Sequence, residues 1–254
     1  MAKAVKPRTA ATTPRKAGAN TPVNPPARAP RGPNAERRAA TRAKIMQAAV
    51  RCLAEFGYAA TSTPLVARLA KVSRGSLLHQ FPTKVDLILA VAEYAADARG
   101  AVVFDKLRPY PEGPDRFLYG VDAVWASLHT PAAIALMEVT IAARSDPELA
   151  ERYPRFAGDM EERLRRARIR MAQNLGVPER LEEIEAVAHL TRMALNGLAM
   201  ESVFIGRASP DAPRVLALLK DLRRRLVDEL QNGGPKGRSA GAAKSVGKVD
   251  HKRR

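Results

Sequence analysis

Residues 62–84 read STPLVARLAKVSRGSLLHQFPTK, and the fold turns on how this run is divided. Its centre, SRGSLLHQF at residues 73–81, mixes a Leu pair and a Phe with Ser, Arg, Gly, His and Gln, too polar for a core helix and too apolar for a loop. Two short helices, about 63–70 and 74–80, resolve the mixture. Ala67 is small enough to let them cross closely, Lys71 takes the turn, Val72 plugs it and Leu77 locks the second helix on the first, the spacing of a helix-turn-helix. Ser62 or Thr63, just before Pro64, caps the first helix, and Ser73 caps the second. At about 100° per residue, Leu77 and Phe81 point inward, Gly75, Ser76, His79 and Gln80 point outward, and Arg74 and Leu78 lie on the boundaries.

The outward face has the chemistry of a major-groove reader. Arg74 suits a bidentate contact with guanine, Ser76 serves as donor or acceptor, Gly75 lets backbone approach closely, and Leu78 offers a thymine methyl an apolar contact. His79, Gln80 and Lys84 suit phosphate, which fixes register, and the cap at Ser62 or Thr63 aims N–H groups at the opposite phosphate strand.

Outward from this pair, almost every segment has helical periodicity and none alternates like a strand, so the chain reads as all-α. The segment from Asn34, a possible N-cap, to Gly57, a C-cap, carries Ile45, Ala49, Cys52 and Phe56 on one stripe, making Cys52 a small core residue. A helix is expected from Thr83 to about Leu107. After a break at Pro109, Pro111, Gly113 and Pro114, others follow near 115–129, 131–144, 147–174, 179–205 and 211–231.

The run from AVRCLAEFGYAATS through VARLAKVSRGSLLHQFPTKVDLILAV resembles the DNA-binding region of TetR/AcrR-type transcriptional regulators over residues 36–93. The Phe-Gly-Tyr helix ending, the Ala-x-x-Ala helix, Val-Ser-Arg-Gly and Phe-Pro-x-Lys carry the resemblance together. It implies a homodimer with an N-terminal three-helix DNA reader and a C-terminal domain that binds a small inducer and dimerises through its last two long helices. The chain departs from the pattern at Lys71, where the family usually has Gly, at Leu78 in place of Tyr, and at Gln80 in place of a phosphate-binding residue such as His. At Lys71 a non-glycine residue would adopt positive φ, at about 1 kcal/mol.

The domains expected are a basic Pro/Ala-rich arm over 1–33, a reader over 34–82, an effector-binding and dimerisation domain over 83–231, and a basic tail over 232–254. The arm has seven prolines and no Leu, Ile or Phe, a composition too poor in apolar side chains to fold, and the tail reads the same way. Of the net charge of +17, residues 1–35 and 233–254 supply +13. That charge serves either nonspecific attraction to phosphate or simple solubility.

In the C-terminal part, Val215, Leu219, Leu222 and Leu226 form a seam, with Arg223 to Arg225 mostly on its wet side. In the helix before it, Ala188, Ala194 and Gly197 permit close crossing among Val187, Leu190, Leu195 and Leu198. These two helices, about 179–205 and 211–231, either dimerise or only close the monomer core, and the resemblance favours the dimer. An effector cavity would lie between the helices of residues 83–174, with Phe117, Trp125, His129, Met137, Glu138, Phe156 and Met160 as candidates. For the aromatics and methionines core packing is the favoured reading, because helical spacing explains them without a ligand, and a helix cap accounts for His129. Glu138, inside the apolar run AAIALMEVTIAA, needs a partner, either an internal Arg such as Arg144 or the effector.

Other classes fit less well. One cysteine forms no internal disulfide, apolar runs break before the roughly 20 residues of a membrane span, and no secretory block opens the chain, so a cytoplasmic protein is expected. No Gly-rich phosphate loop, metal-ligand spacing or nucleophile elbow points to an enzyme, a metal or a cofactor, and the histidines at 79, 129, 189 and 251 form no motif. The expectation is a one-component repressor that binds a pseudo-palindromic double-stranded operator as a homodimer and is released by a small molecule. The alternative is a basic architectural protein with little sequence specificity.

Overall fold

A computed structural model describes residues 32–231, all helix and connecting turn, with no strand among them. The arm up to residue 31 and the tail from 232 lie outside the described residues. Contacts divide the chain into two units, Met1–Ala39 and Ala40–Arg254. Of the first, residues 33–39 form the opening turns of a helix. That helix begins one residue before the expected cap Asn34, because the Gly32 carbonyl accepts the N–H groups of Ala35 and Glu36.

The helices are α1 (Pro33–Ala60), α2 (Thr63–Ala70), α3 (Arg74–Gln80), α4 (Lys84–Leu107), α5 (Pro114–Leu128), α6 (Pro131–Ala142), α7 (Pro147–Asn174), α8 (Leu181–Ile205) and α9 (Ala212–Gln231). A single 3-10 turn, Pro178–Arg180, precedes α8. Most starts are set by local chemistry. Ser62, Ser73, Thr83, Thr130 and Asp146 each accept a first-turn backbone N–H at the head of α2, α3, α4, α6 and α7. Thr83 and Asp86 form a reciprocal capping box. No single described helix is long and apolar enough to cross a membrane.

Three separate apolar clusters hold the second unit together. The largest takes Ile45, Ala49, Cys52 and Leu53 of α1, Val66 and Ala67 of α2, Leu77 and Phe81 at α3, and Leu87, Ile88, Val91 and Ala95 of α4, and runs on into Ala135 and Val139 of α6 and Leu149 of α7. The reader helices and the first helices of the expected effector domain therefore share one core. A second cluster gathers Phe117, Ala172, Val177, Ile184, Leu226 and Val227; a third gathers Val121, Leu128, Leu195 and Leu219.

Two side chains depart from the sequence reading. Phe56 is 50% exposed rather than a core residue. Helical geometry stops at Gly57 (φ 74°, ψ 175°), and the chain turns there so that Tyr58, not Phe56, packs on the core. Arg223 is 4% exposed, not on the wet side of α9. Its Nη1 donates to the Phe117 carbonyl at 2.6 Å and its guanidinium lies 4.6 Å from the Phe117 ring centroid. Gly120 makes the space, since a Cβ there would stand 2.8 Å from Nη1.

Candidate nucleic-acid interface and effector region

The α2–α3 pair is built as a helix-turn-helix. The Lys71 N–H reaches back to the Arg68 carbonyl and the Val72 N–H to the Ala67 carbonyl, closing α2. Closure requires Lys71 to take the left-handed conformation (φ 55°, ψ 44°), the only such non-glycine among the described residues. Val72 packs half-buried against the core. Ser73 Oγ then accepts the Ser76 N–H at 3.1 Å and starts α3.

Within α3 the two faces separate. Leu77 is fully buried and Phe81 2% exposed, with the Arg42 guanidinium 4.7 Å from the Phe81 ring centroid. Arg74, Gly75 and His79 are exposed, and Ser76, Leu78 and Gln80 are half-buried. Nothing stands within 4 Å of where a Gly75 Cβ would be, so the backbone there is open to an approaching surface. Ser62 is exposed at the head of α2 and Thr63 half-buried beside it. From Phe56 to Val85 the chain has no acid, while Arg68, Lys71 and Arg74 are all exposed. The face is therefore cationic with no internal carboxylate to neutralise it.

Lys84 differs from the expectation. Its Nζ donates to the Tyr58 carbonyl at 3.2 Å and lies 4.0 Å from the Tyr58 ring centroid, so it faces the end of α1. Burial there pushes its ammonium below the usual lysine range. Tyr58 ties four helices together. Its hydroxyl donates to Asp146 Oδ2 at 2.5 Å, at the head of α7, and its backbone N–H donates to Glu138 Oε2 of α6 at 2.9 Å. A partner of Glu138 is thus a backbone N–H released by the end of α1, where the sequence offered either an internal Arg such as Arg144 or an effector. Gly57 is required twice over, by its positive φ and because a Cβ would lie 3.2 Å from Glu138 Oε2.

The effector candidates do not gather in one place. Phe117 is in the second cluster, Trp125 packs on the third, and Phe156 packs on the first beside Tyr153, with ring centroids 5.5 Å apart. His129 ends α5 and its Nδ1 lies 2.9 Å from the Trp125 carbonyl, the role of a cap. Met137 and Met160 are half-buried. Two surface clefts, of about 340 Å³ beside Val187, Leu222 and Leu226 and about 440 Å³ beside Val50, Tyr94 and Pro131, include none of the seven.

Sequence reasoning missed a group of arginines. Arg99 of α4, Arg168 of α7 and Arg192 of α8 each have a buried Nε with no hydrogen-bond partner. The available signal was position: Arg99 falls four residues after Ala95, on the inward stripe of α4.

Residues 45–91 match the family described as bacterial regulatory proteins, tetR family. The chain is 36% identical over 120 residues to the HTH-type transcriptional regulator CymR of Pseudomonas putida, covering 46% of this chain and 58% of that protein. It is 27% identical over 139 residues to the HTH-type transcriptional repressor AcnR of Corynebacterium efficiens, covering 53% and 65%. The chain thus matches less than two thirds of the length of either relative. A transcriptional regulator from Rhodococcus sp. Rha1 shares the fold, with a TM-score of 0.53 at 20% identity over 75% of this chain and 96% of that one. The matched residues run from α1 through the helix-turn-helix into α4, and over that region the chain is similar to the tetR family of bacterial regulatory proteins.

Proposed function

We propose that the chain is a ligand-responsive transcriptional regulator, a repressor, that binds a pseudo-palindromic operator as a homodimer. The observation that carries this reading is α3: Leu77 and Phe81 lock it to the core while Arg74, Gly75 and His79 face solvent in a stretch, residues 56–85, that has no acid. Arg74 is the base reader, Ser76 and Leu78 assist it, and Ser62, Thr63, Ser73, His79 and Gln80 meet phosphate. Lys84, held on Tyr58, contributes field more than contact.

The homodimer reading draws support from α8 and α9. Leu190, Met193 and Gly197 follow one another along one face of α8, with Leu190 51% exposed and Met193 44% exposed, and Leu218 of α9 is 67% exposed. Apolar side chains so bare, on the two helices that would pair with their symmetry mates, suit a self-complementary contact. A dimer places its two reader helices one DNA turn apart, about 34 Å, which makes the operator an inverted repeat.

Effector response follows from the shared core. Helices α6 and α7 are fastened to the end of α1 through Glu138 and Asp146. A small molecule that binds better to one arrangement of these helices shifts the spacing of the two readers. The experiment is selection of duplexes from a randomised DNA pool by the full-length chain at physiological salt. An enriched inverted repeat is expected. Binding that follows salt concentration with no enriched motif would replace this reading by the architectural one.

A further inference from the structure

Arg168 of α7 and Arg192 of α8 meet on one carboxylate, Glu161, and Arg99 of α4 lies within the field of Arg192. Two carboxylates serve two of them: Arg168 donates to Glu161 Oε1 at 2.6 Å and stands 3.7 Å from Glu185, and Arg192 reaches Glu161 Oε2 at 3.5 Å. Arg192 also donates to His189 Nδ1 at 3.2 Å. Among the described residues Arg99 has no carboxylate partner, and its charged neighbour is Arg192. The nearby acid on its own helix, Asp97, is held at the surface by Arg163 at 2.5 Å. Burial, and after it the charge of Arg192, pushes the Arg99 guanidinium below its usual range.

Arg99 stands apart in this group: Arg168 and Arg192 have carboxylate partners and Arg223 donates to a carbonyl, whereas Arg99 has neither hydrogen bond nor ion pair among the described residues. Three of the four buried guanidinium nitrogens without a hydrogen bond among the described residues belong to this group, and of these the Arg168 Nε faces Glu185 at 3.7 Å. The group also sits where the apolar core parts. On α4, Arg99 follows the buried stripe Ile88, Ala92 and Ala95 of the first cluster; on α8, Arg192 lies between Ile184 of the second cluster and Leu195 of the third. An unmet buried donor and an uncompensated positive charge at Arg99, beside a second cation already fixed by Glu161, describe the receptor for an oxyanion.

We propose that Arg99 and Arg192 bind the carboxylate or phosphate group of an anionic small-molecule effector, with Arg168 and Glu161 holding Arg192 in place; the proposal rests on the reading of the chain as an effector-responsive regulator. The planar guanidinium of Arg99 takes two oxygens of the ligand, and the anion relieves the repulsion between Arg99 and Arg192.

The test follows the thermal unfolding midpoint of the full-length protein, at matched ionic strength, with three probes that share one apolar chain: hexanoate, hexyl phosphate and hexanamide. At least one anion should raise the midpoint saturably while hexanamide does not, and the anion that does so identifies the head group. Arg99→Gln should abolish the rise, Arg192→Gln should weaken half-saturation tenfold or more, and exposed Arg155→Gln should leave it unchanged. Without ligand, Arg99→Gln should unfold no lower than the parent, because an uncompensated charge is gone. Equal protection by hexanamide, no protection by either anion, protection that survives Arg99→Gln, or a much lower midpoint for unliganded Arg99→Gln would each overturn the site. Sequence-selective DNA binding by the same samples is scored separately. Its presence without anion protection overturns the site alone, whereas saturable anion protection without it supports the site and removes the regulator reading.

Discussion

Glu138 Oε2 accepts the backbone N–H of Tyr58 at 2.9 Å, joining a carboxylate of α6 to the point where α1 stops. The helix end frees this N–H, and Glu138 meets it 80 residues later in the chain. Glu138→Ala would leave the N–H without its acceptor in a half-buried site, which costs about 1–3 kcal/mol. Glu138→Gln keeps an oxygen there and should cost under about 1 kcal/mol. Urea unfolding of the two variants checks this, and equal losses would mean that Glu138 acts through its charge instead.

The Asp146 carboxylate is held below the usual carboxylate range first by the Tyr58 hydroxyl and then by the Leu149 N–H. Asp86 is lowered too, chiefly by Arg152. A carboxylate with a depressed folded pKa contributes stability that is complete above its unfolded value, about 3.9, and is lost as pH falls through the folded value. The protein should therefore lose stability steeply below about pH 4. Asp146→Asn keeps the helix cap and an acceptor for Tyr58, so it should cost little at pH 7 and make the acid limb shallower. An acid limb as steep as the parent's would show that Asp146 is not one of the groups responsible. Tyr58 is shifted upward by burial and then by Asp146, so its contribution is complete below about pH 10 and is lost above it.

The helix boundaries were legible because their causes are local. Ser62, Ser73 and Thr83 sit directly before helix-forming runs, and Lys71 had to adopt positive φ once Ala67 and Leu77 fixed the turn between them. The inward face of α3 followed from periodicity alone. Phe56, Glu138 and Arg223 were misread for a common reason. The first depends on how the chain leaves Gly57, the second on a backbone donor 80 residues away, and the third on a groove that Gly120 opens on another helix. The arginine cluster was hidden in the same way: Arg99, Arg168 and Arg192 are each ordinary within their own helices, and only the packing of α4, α7 and α8 brings their unpaired donors to notice.

Arg223 is a charge buried against Phe117 with no carboxylate partner among the described residues, and burial pushes its guanidinium down to about 10. Removing the charge while filling the space should therefore not destabilise the fold. Arg223→Met is expected to be at least as stable as the parent, since apolar replacement of buried charge is often neutral or favourable. Arg223→Ala leaves a void beside Gly120 and should be less stable than the Met variant by on the order of 2 kcal/mol or more. Thermal unfolding of the pair decides between them. A Met variant as unstable as the Ala variant would show that the bond to the Phe117 carbonyl outweighs the cost of the buried charge.

Arg74 and Ser73 neighbour each other in sequence but should fail in different ways. Arg74 is exposed at the start of α3 and makes no contact the fold needs, so Arg74→Ala should leave the unfolding midpoint unchanged. If it reads guanine bidentately, its loss removes about 1–3 kcal/mol of discrimination, roughly 5- to 150-fold at one base position of the selected site, while binding to random duplex falls far less. Ser73→Ala removes the Oγ acceptor of the Ser76 N–H, so it should cost about 1 kcal/mol of stability and weaken selected and random duplexes together. Comparing both variants on the selected site, on that site with one base changed and on random duplex separates the roles. An Arg74→Ala protein that loses affinity equally for all three would place Arg74 on the phosphate backbone and move base reading to Ser76 and Leu78.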